Sequence, residues 1–254
     1  MHCPGFKCGA LLAMTFGLVA SQKSENGITT GKKGNATVVK DNPDGVGFLA
    51  VLPTRKQFTP TPAGPIQGVV YAQTNSGGTG VKYDISFKNL PEEGGPFVYH
   101  IHQKPVPSDG NCTDTEAHLD PFERGETPPC DPDLPQTCQV GDLAGKHGAI
   151  VTSKDNTDFS ESYTDDFTAT GDGKSFIGNL SVVIHYANLT RIACANFEEF
   201  DASDSMNMMS SLDDLLDMDD SYDYGDDGDD DGGDDGGDSA DGNGMDGGKY
   251  NDTY

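Results

Sequence analysis

Between residues 45 and 200 the chain alternates short apolar runs with turn-forming clusters. GVGFLAVLP, IQGVVYAQ, VKYDISFKNLP and PFVYHIHQ are rich in Val, Ile and aromatic residues and are separated by Pro, Gly, Asn and Ser. In VKYDISFKNL the alternation is strict: Val81, Tyr83, Ile85 and Phe87 share one side, and Lys82, Asp84, Ser86 and Lys88 share the other. Side chains alternate across a strand, so this is a half-buried antiparallel strand. After a proline-rich stretch at 103 to 143 the texture resumes in AGKHGAIVT, DFSESYTDDFTAT, SFIGNLSVVIHYAN and TRIACANF. No segment between 45 and 200 carries an amphipathic helical period. The prediction is an all-β domain, a Greek-key barrel or sandwich of about eight antiparallel strands. Its one long loop exceeds the usual connection length, and the cysteines and prolines inside it predict an ordered loop.

Both flanks read differently. Residues 22–44 are polar, glycine-rich and without period, which predicts a flexible lead-in. From residue 201 the chain gives way to Asp-Gly runs with nineteen aspartates against one lysine, about −18 of the total formal charge of −26. Such a segment offers too little apolar surface to offset its chain entropy, so 201–254 is expected to be a disordered acidic tail. Cations or basic surfaces are its natural partners. Within it, residues 206–218 mix Met and Leu with Asp, and a short helix on meeting a partner is the alternative to a solvated tail. The acidic balance and the lack of a basic stripe exclude nucleic acid as a partner.

Residues 1–21 pair a lysine-bearing start with an apolar stretch of about twelve and then small residues, the pattern of a secretory signal. No stretch reaches the roughly twenty apolar residues of a membrane span, and no apolar C-terminal tail signals a glycolipid anchor. The expectation is a secreted, extracellular monomer, either released or retained at a wall. Without the signal four cysteines remain, Cys112, Cys130, Cys138 and Cys194. In an oxidising compartment they predict two disulfides, with three pairings open. Export also makes the sequons at Asn35, Asn111, Asn179, Asn188 and Asn251 candidates for glycosylation.

Three of the six histidines fall in VYHIHQKPVPSDGNCTDTEAHLDP. On a strand His100 and His102 point to the same face, roughly 7 Å apart, close enough to share a metal. His118 lies beyond a loop, and His185 sits in SVVIHYAN. Four imidazoles on neighbouring strands suit a tetragonal nitrogen site, the geometry of copper(II). Taken singly, each histidine is also compatible with a core or surface role.

In order and spacing, YHIHQKPVP, NC, AHLDP, VGDLAGKHG, SVVIHYAN and TRIACAN resemble the copper-binding superoxide dismutases, especially their secreted, copper-only fungal-type branch. The resemblance covers residues 45–198. It implies one copper ion held by His100, His102, His118 and His185, with His118 as the proton-handling ligand and Arg191 as the guide for the superoxide anion. It also implies a Cys112 to Cys194 disulfide, which leaves Cys130 and Cys138 to each other. Zinc is not expected: against the zinc-containing members only His118 and Asp142 match, and 119–141 holds no histidine. Only five residues separate His185 from Arg191, so the copper site should be open to solvent.

Copper-only relatives often carry a glutamate three residues before the aspartate, where this chain has Gln139. A glutamine hydrogen-bonds but brings no charge. Asp142 is then the better candidate to orient His118, the alternative being a turn aspartate that caps its own loop. His147 reads as structural. The implied activity is dismutation of superoxide to hydrogen peroxide and dioxygen. Two other classes remain open at this point: a copper-buffering protein on the same fold, which Gln139 keeps in view, and an extracellular interaction protein whose barrel is only scaffold.

Overall fold

The structure, a computed structural model, describes residues 28–52 and 64–201. The expected signal segment and all but the first residue of the acidic tail lie outside the described residues. Among the described residues are eight strands: β1 (Val46–Leu52), β2 (Gln67–Thr74), β3 (Val81–Lys88), β4 (Val98–His102), β5 (Phe159–Asp165), β6 (Ser181–His185), β7 (Arg191–Asn196) and β8 (Glu198–Asp201). One five-residue helix, α1 (Leu143–His147), precedes β5. The strands form two antiparallel sheets, in the order β5-β3-β2-β1-β8 and β4-β6-β7. The chain changes sheet between β3 and β4, β4 and β5, β5 and β6, and β7 and β8, which is the path of a Greek-key barrel.

The alternation of VKYDISFK becomes β3 as read: Val81, Tyr83, Ile85 and Phe87 are buried between the sheets, where Phe48, Val70, Ile101, Val182 and Ile184 meet them. Strand β4 is buried on both faces. Tyr99 and Ile101 enter that core, while His100 and His102 face the other way, beneath the long loop. On β6, Val182 and Ile184 join the core, and Val183 packs with Val106, Cys112 and Cys194 in a second, smaller cluster. The three-stranded sheet is thus roofed by the loop that follows β4, which is why polar imidazoles on that face are shut away from water.

Two expectations are corrected. AGKHGAIVT is not a strand: Asp142 caps α1 by accepting from Gly145 N (2.7 Å), Gly148 follows the helix, and only Ile150 bridges to Phe97. One helical turn is too short to show a period in sequence, and its valine and isoleucine lie after it. The lead-in is also not free over residues 28–44. Its backbone binds across the fold, from Lys33 N to Phe122 O (3.1 Å), Ala36 N to Gln136 O (2.7 Å), Val39 N to Asp166 O (2.8 Å) and Asn42 N to Gly78 O (3.1 Å). Asn42 is buried, donating to Gly80 O and accepting from Thr170 N. Composition counts side chains, whereas this strap is held mostly by backbone amides.

Candidate metal centre

His100, His102, His118 and His185 come together, each offering one ring nitrogen within 4.8 Å of the others, and all four are buried. Strand alternation sets the first two on one face of β4. Pairing of β4 with β6 brings His185 beside Val98, one strand over. His118 arrives from the loop through an isolated bridge with His102. Behind it, Leu119 N donates to Ile101 O (2.8 Å), Gly141 N to Leu119 O (2.8 Å) and Ile101 N to Gly141 O (2.9 Å). This stitch lays the start and the end of the loop along β4. Residue 141 must be glycine here, because a Cβ would overlap the Ile101 carbonyl oxygen and lie 2.9 Å from Leu119 N.

The outer ring nitrogens are engaged by the protein, and this fixes the inner ones. His102 Nδ1 lies 2.9 Å from Glu116 O and 3.0 Å from Thr115 Oγ1, and His185 Nδ1 lies 3.1 Å from Leu189 O. A carbonyl oxygen only accepts, so both Nδ1 atoms carry protons and both Nε2 atoms are bare lone pairs. Those lone pairs face each other at 3.2 Å. His118 Nδ1 bonds Gln139 Oε1 (2.8 Å), which likewise turns Nε2 inward. His100 is reversed: Nε2 lies 3.4 Å from Asp142 Oδ1, and Nδ1 is buried without a hydrogen-bond partner among the described residues. Four lone pairs converging with no donor between them form a set that a cation satisfies. Burial and mutual crowding push His102 down to about 2 and His185 down to about 3, and burial also lowers His118. His102, His118 and His185 are therefore neutral at physiological pH, the form that binds metal.

The residue that supports His118 is not the one expected. Asp142, read as the orienter of His118, instead caps α1 and reaches His100, and Gln139 is the residue that holds His118. Burial alone would raise Asp142, but its contact with His100 and the Gly145 amide keep it below the ordinary carboxylate value. Both placements follow from the tertiary stitch at Gly141, which no local spacing reveals. His147 lies away from the cluster, bonded to Asp165 and stacked on Tyr163.

Arg191 opens β7 and reaches the 3-10 turn Cys112–Thr115, donating from one terminal nitrogen to Cys112 O (2.6 Å) and Thr113 O (2.7 Å) and from the other to Glu116 O. Glu116 O also accepts from His102 Nδ1, which places the guanidinium beside the cluster. Disulfides join Cys112 to Cys194 and Cys130 to Cys138. The first ties the turn that cradles Arg191 to the strand that carries it. Sequence reasoning missed Thr115, Glu116 and Leu189, whose contributions are a hydroxyl and two carbonyls. Positive φ at Glu116 and Leu189 leaves no mark in residue type.

No family model matches the chain. The cell surface Cu-only superoxide dismutase 5 of Candida albicans is 36% identical over 172 residues, which cover 66% of this chain and 68% of that protein. A cell surface Cu-only superoxide dismutase of Arthroderma benhamiae is 40% identical over 182 residues; the match takes in 62% of this chain and 47% of that protein, about half its length. Among solved structures, the Cu(II) form of Candida albicans superoxide dismutase 5 superimposes with a TM-score of 0.50 at 36% identity, covering 61% of this chain and 92% of that one. A Glu-to-Gln mutant of the same protein gives 0.51 at 34%, covering 63% and 94%. With the fold, the four-imidazole centre and these relatives in agreement, the chain belongs to the copper-only branch of the copper/zinc superoxide dismutase family.

Proposed function

We propose that this protein dismutates superoxide outside the cell, taking two superoxide anions and two protons to dioxygen and hydrogen peroxide. His100 would hold copper through Nδ1, and His102, His118 and His185 through Nε2. Bound there, copper supplies reversible one-electron exchange, which zinc cannot. The observation that carries this reading is the pair of bare Nε2 lone pairs on His102 and His185, 3.2 Å apart and enclosed.

The remaining work falls to the chain. Glu116, Leu189 and Gln139 fix which nitrogen of each ring stays unprotonated, and Asp142 does the same for His100. Arg191 keeps its proton at neutral pH, and its cradle of carbonyls sets the guanidinium where it attracts and orients the anion. The acidic total charge does not cancel this local field, because charges beyond roughly 8 Å are screened at physiological ionic strength. An oxidising exterior preserves both disulfides, and the relatives bear cell-surface names.

The test is superoxide decay by pulse radiolysis with the full chain loaded with copper alone, beside His100→Ala and Arg191→Ala. Decay far above that of the metal-free protein is expected, abolished by the first substitution and reduced at least tenfold by the second, with a weaker salt dependence. Tight copper binding without accelerated decay would overturn the enzyme reading and leave a copper-buffering protein.

A further inference from the structure

We propose that Asp120 is a positioning residue that selects the tautomer of His118 by acting through Gln139. A primary amide has two ends of nearly the same shape and opposite character, so Gln139 on its own could present either its oxygen or its NH2 to His118 Nδ1. The far end of the side chain decides which. Gln139 Nε2 lies 3.2 Å from Asp120 Oδ2. The Asp120 carboxylate is held in turn by the backbone amides of Arg124, to Oδ1 at 3.0 Å, and Gly125, to Oδ2 at 2.8 Å. Both Asp120 oxygens already act as acceptors toward backbone amides, so the NH2 must face Asp120 and the oxygen must face His118. His118 Nδ1 then carries the proton, and Nε2 keeps its lone pair toward the other three imidazoles.

With the amide reversed, its NH2 would donate to Nδ1, the ring proton would sit on Nε2, and His118 would aim an N–H at the place where a metal needs a lone pair. A glutamate at 139 accepts through both oxygens and would hold the tautomer unaided. The glutamine makes the chain depend on a second carboxylate. The turn that carries Asp120 is itself braced by the buried Arg124 guanidinium, which donates to Thr137 O (2.9 Å) and Pro129 O (3.0 Å), so the acceptor facing Gln139 is fixed in place.

This inference rests on His118 as a copper ligand, and it is tested where that reading and the dismutase reading fail separately. Full-length chain labelled with 15N-histidine and stripped of metal is examined by long-range 1H–15N correlation at neutral pH. His118 of the wild type should show the Nδ1–H pattern. In Asp120→Ala, and in the nearly isosteric Asp120→Asn, His118 should shift toward the Nε2–H pattern while the spectrum stays folded, and copper affinity should fall about tenfold to a hundredfold. Asp120→Ala combined with Gln139→Glu should restore the tautomer and the affinity. That rescue separates the relay from a merely structural role, because a glutamate at 139 does not replace the bonds to the Arg124 and Gly125 amides. An unchanged His118 tautomer in both single variants, or a failure of the double variant to restore it, overturns the proposal. An inert copper-loaded wild type with the expected tautomers would overturn the dismutase reading and leave the relay standing.

Discussion

Asp165 is the place to ask how firmly the helix behind the metal centre is anchored. Its carboxylate is fully buried and accepts from Lys146 Nζ (2.5 Å), His147 Nε2 (2.8 Å) and the Phe167 and Thr168 amides (3.0 Å each). Lys146 and His147 form the last turn of α1, whose first turn is capped by Asp142 against His100. Asp165→Asn keeps the shape and removes the charge, leaving the Lys146 ammonium buried opposite an amide. Breaking a buried pair from one side costs about 3–5 kcal/mol, because the orphaned charge keeps its desolvation penalty. With a urea dependence of about 2 kcal/mol per M, the unfolding midpoint should fall by about 1.5–2.5 M at pH 7. Asp165→Asn combined with Lys146→Met should recover much of that loss, since neither charge is then stranded.

The pH dependence adds a second handle. Burial alone would raise Asp165, but Lys146 and His147 hold it well below the ordinary range. A carboxylate with a depressed folded pKa contributes stability that is full above its unfolded value, about 3.9, and is lost as the pH falls through the folded one. The wild type should therefore lose stability below about pH 4 more steeply than Asp165→Asn does. A midpoint shift under about 0.5 M, or a double variant no better than the single one, would refute the reasoning.

Three further outcomes follow. Gly141→Ala should cost about 3 kcal/mol or more by thermal unfolding and weaken copper binding by calorimetry, since its Cβ pushes apart the stitch that sets His118, Gln139 and Asp142. Glu116→Gly should raise the melting temperature of the metal-free protein by several degrees, because φ 61° with ψ −137° is a conformation that only glycine adopts without strain, worth about 1–3 kcal/mol. In metal-free protein the lowered His102 and His185 make the unfolded chain bind more protons below its histidine value of about 6.5, so stability should fall as the pH drops from there toward 4. A midpoint independent of pH across that window would contradict the buried, neutral assignment.

The alternating strand at 81–88 and the shared face of His100 and His102 were legible because a period of two is a local property of the chain. The ligands' supports were not. Which of Gln139 and Asp142 meets which ring depends on how Gly141 docks on β4, a contact between residues forty apart in sequence. Asp165 sits in DFSESYTDDFTAT, whose pattern reads as a strand and says nothing of an ion pair, and only the fold brings Lys146 to it. The strap at 28–44 shows the opposite error, since its polar composition reads as free chain while its amides are spent on the loop and on the strand ends. Information carried by the backbone is silent in a residue alphabet.

The Glu116 carbonyl oxygen takes a proton donor from a candidate ligand ring, His102, and another from the guanidinium expected to meet the substrate, Arg191. The side chain of that residue is exposed and, among the described residues, bonds to Gln103. Scanning mutagenesis at this position exchanges the wrong part of the residue, and a tolerant result there would say nothing about the oxygen. Replacing the amide linkage that carries it by an ester, which weakens the carbonyl as an acceptor while sparing every side chain, would perturb ring and guanidinium together. Metal binding and anion capture would then drift in concert, joined through one atom that the genetic code cannot edit.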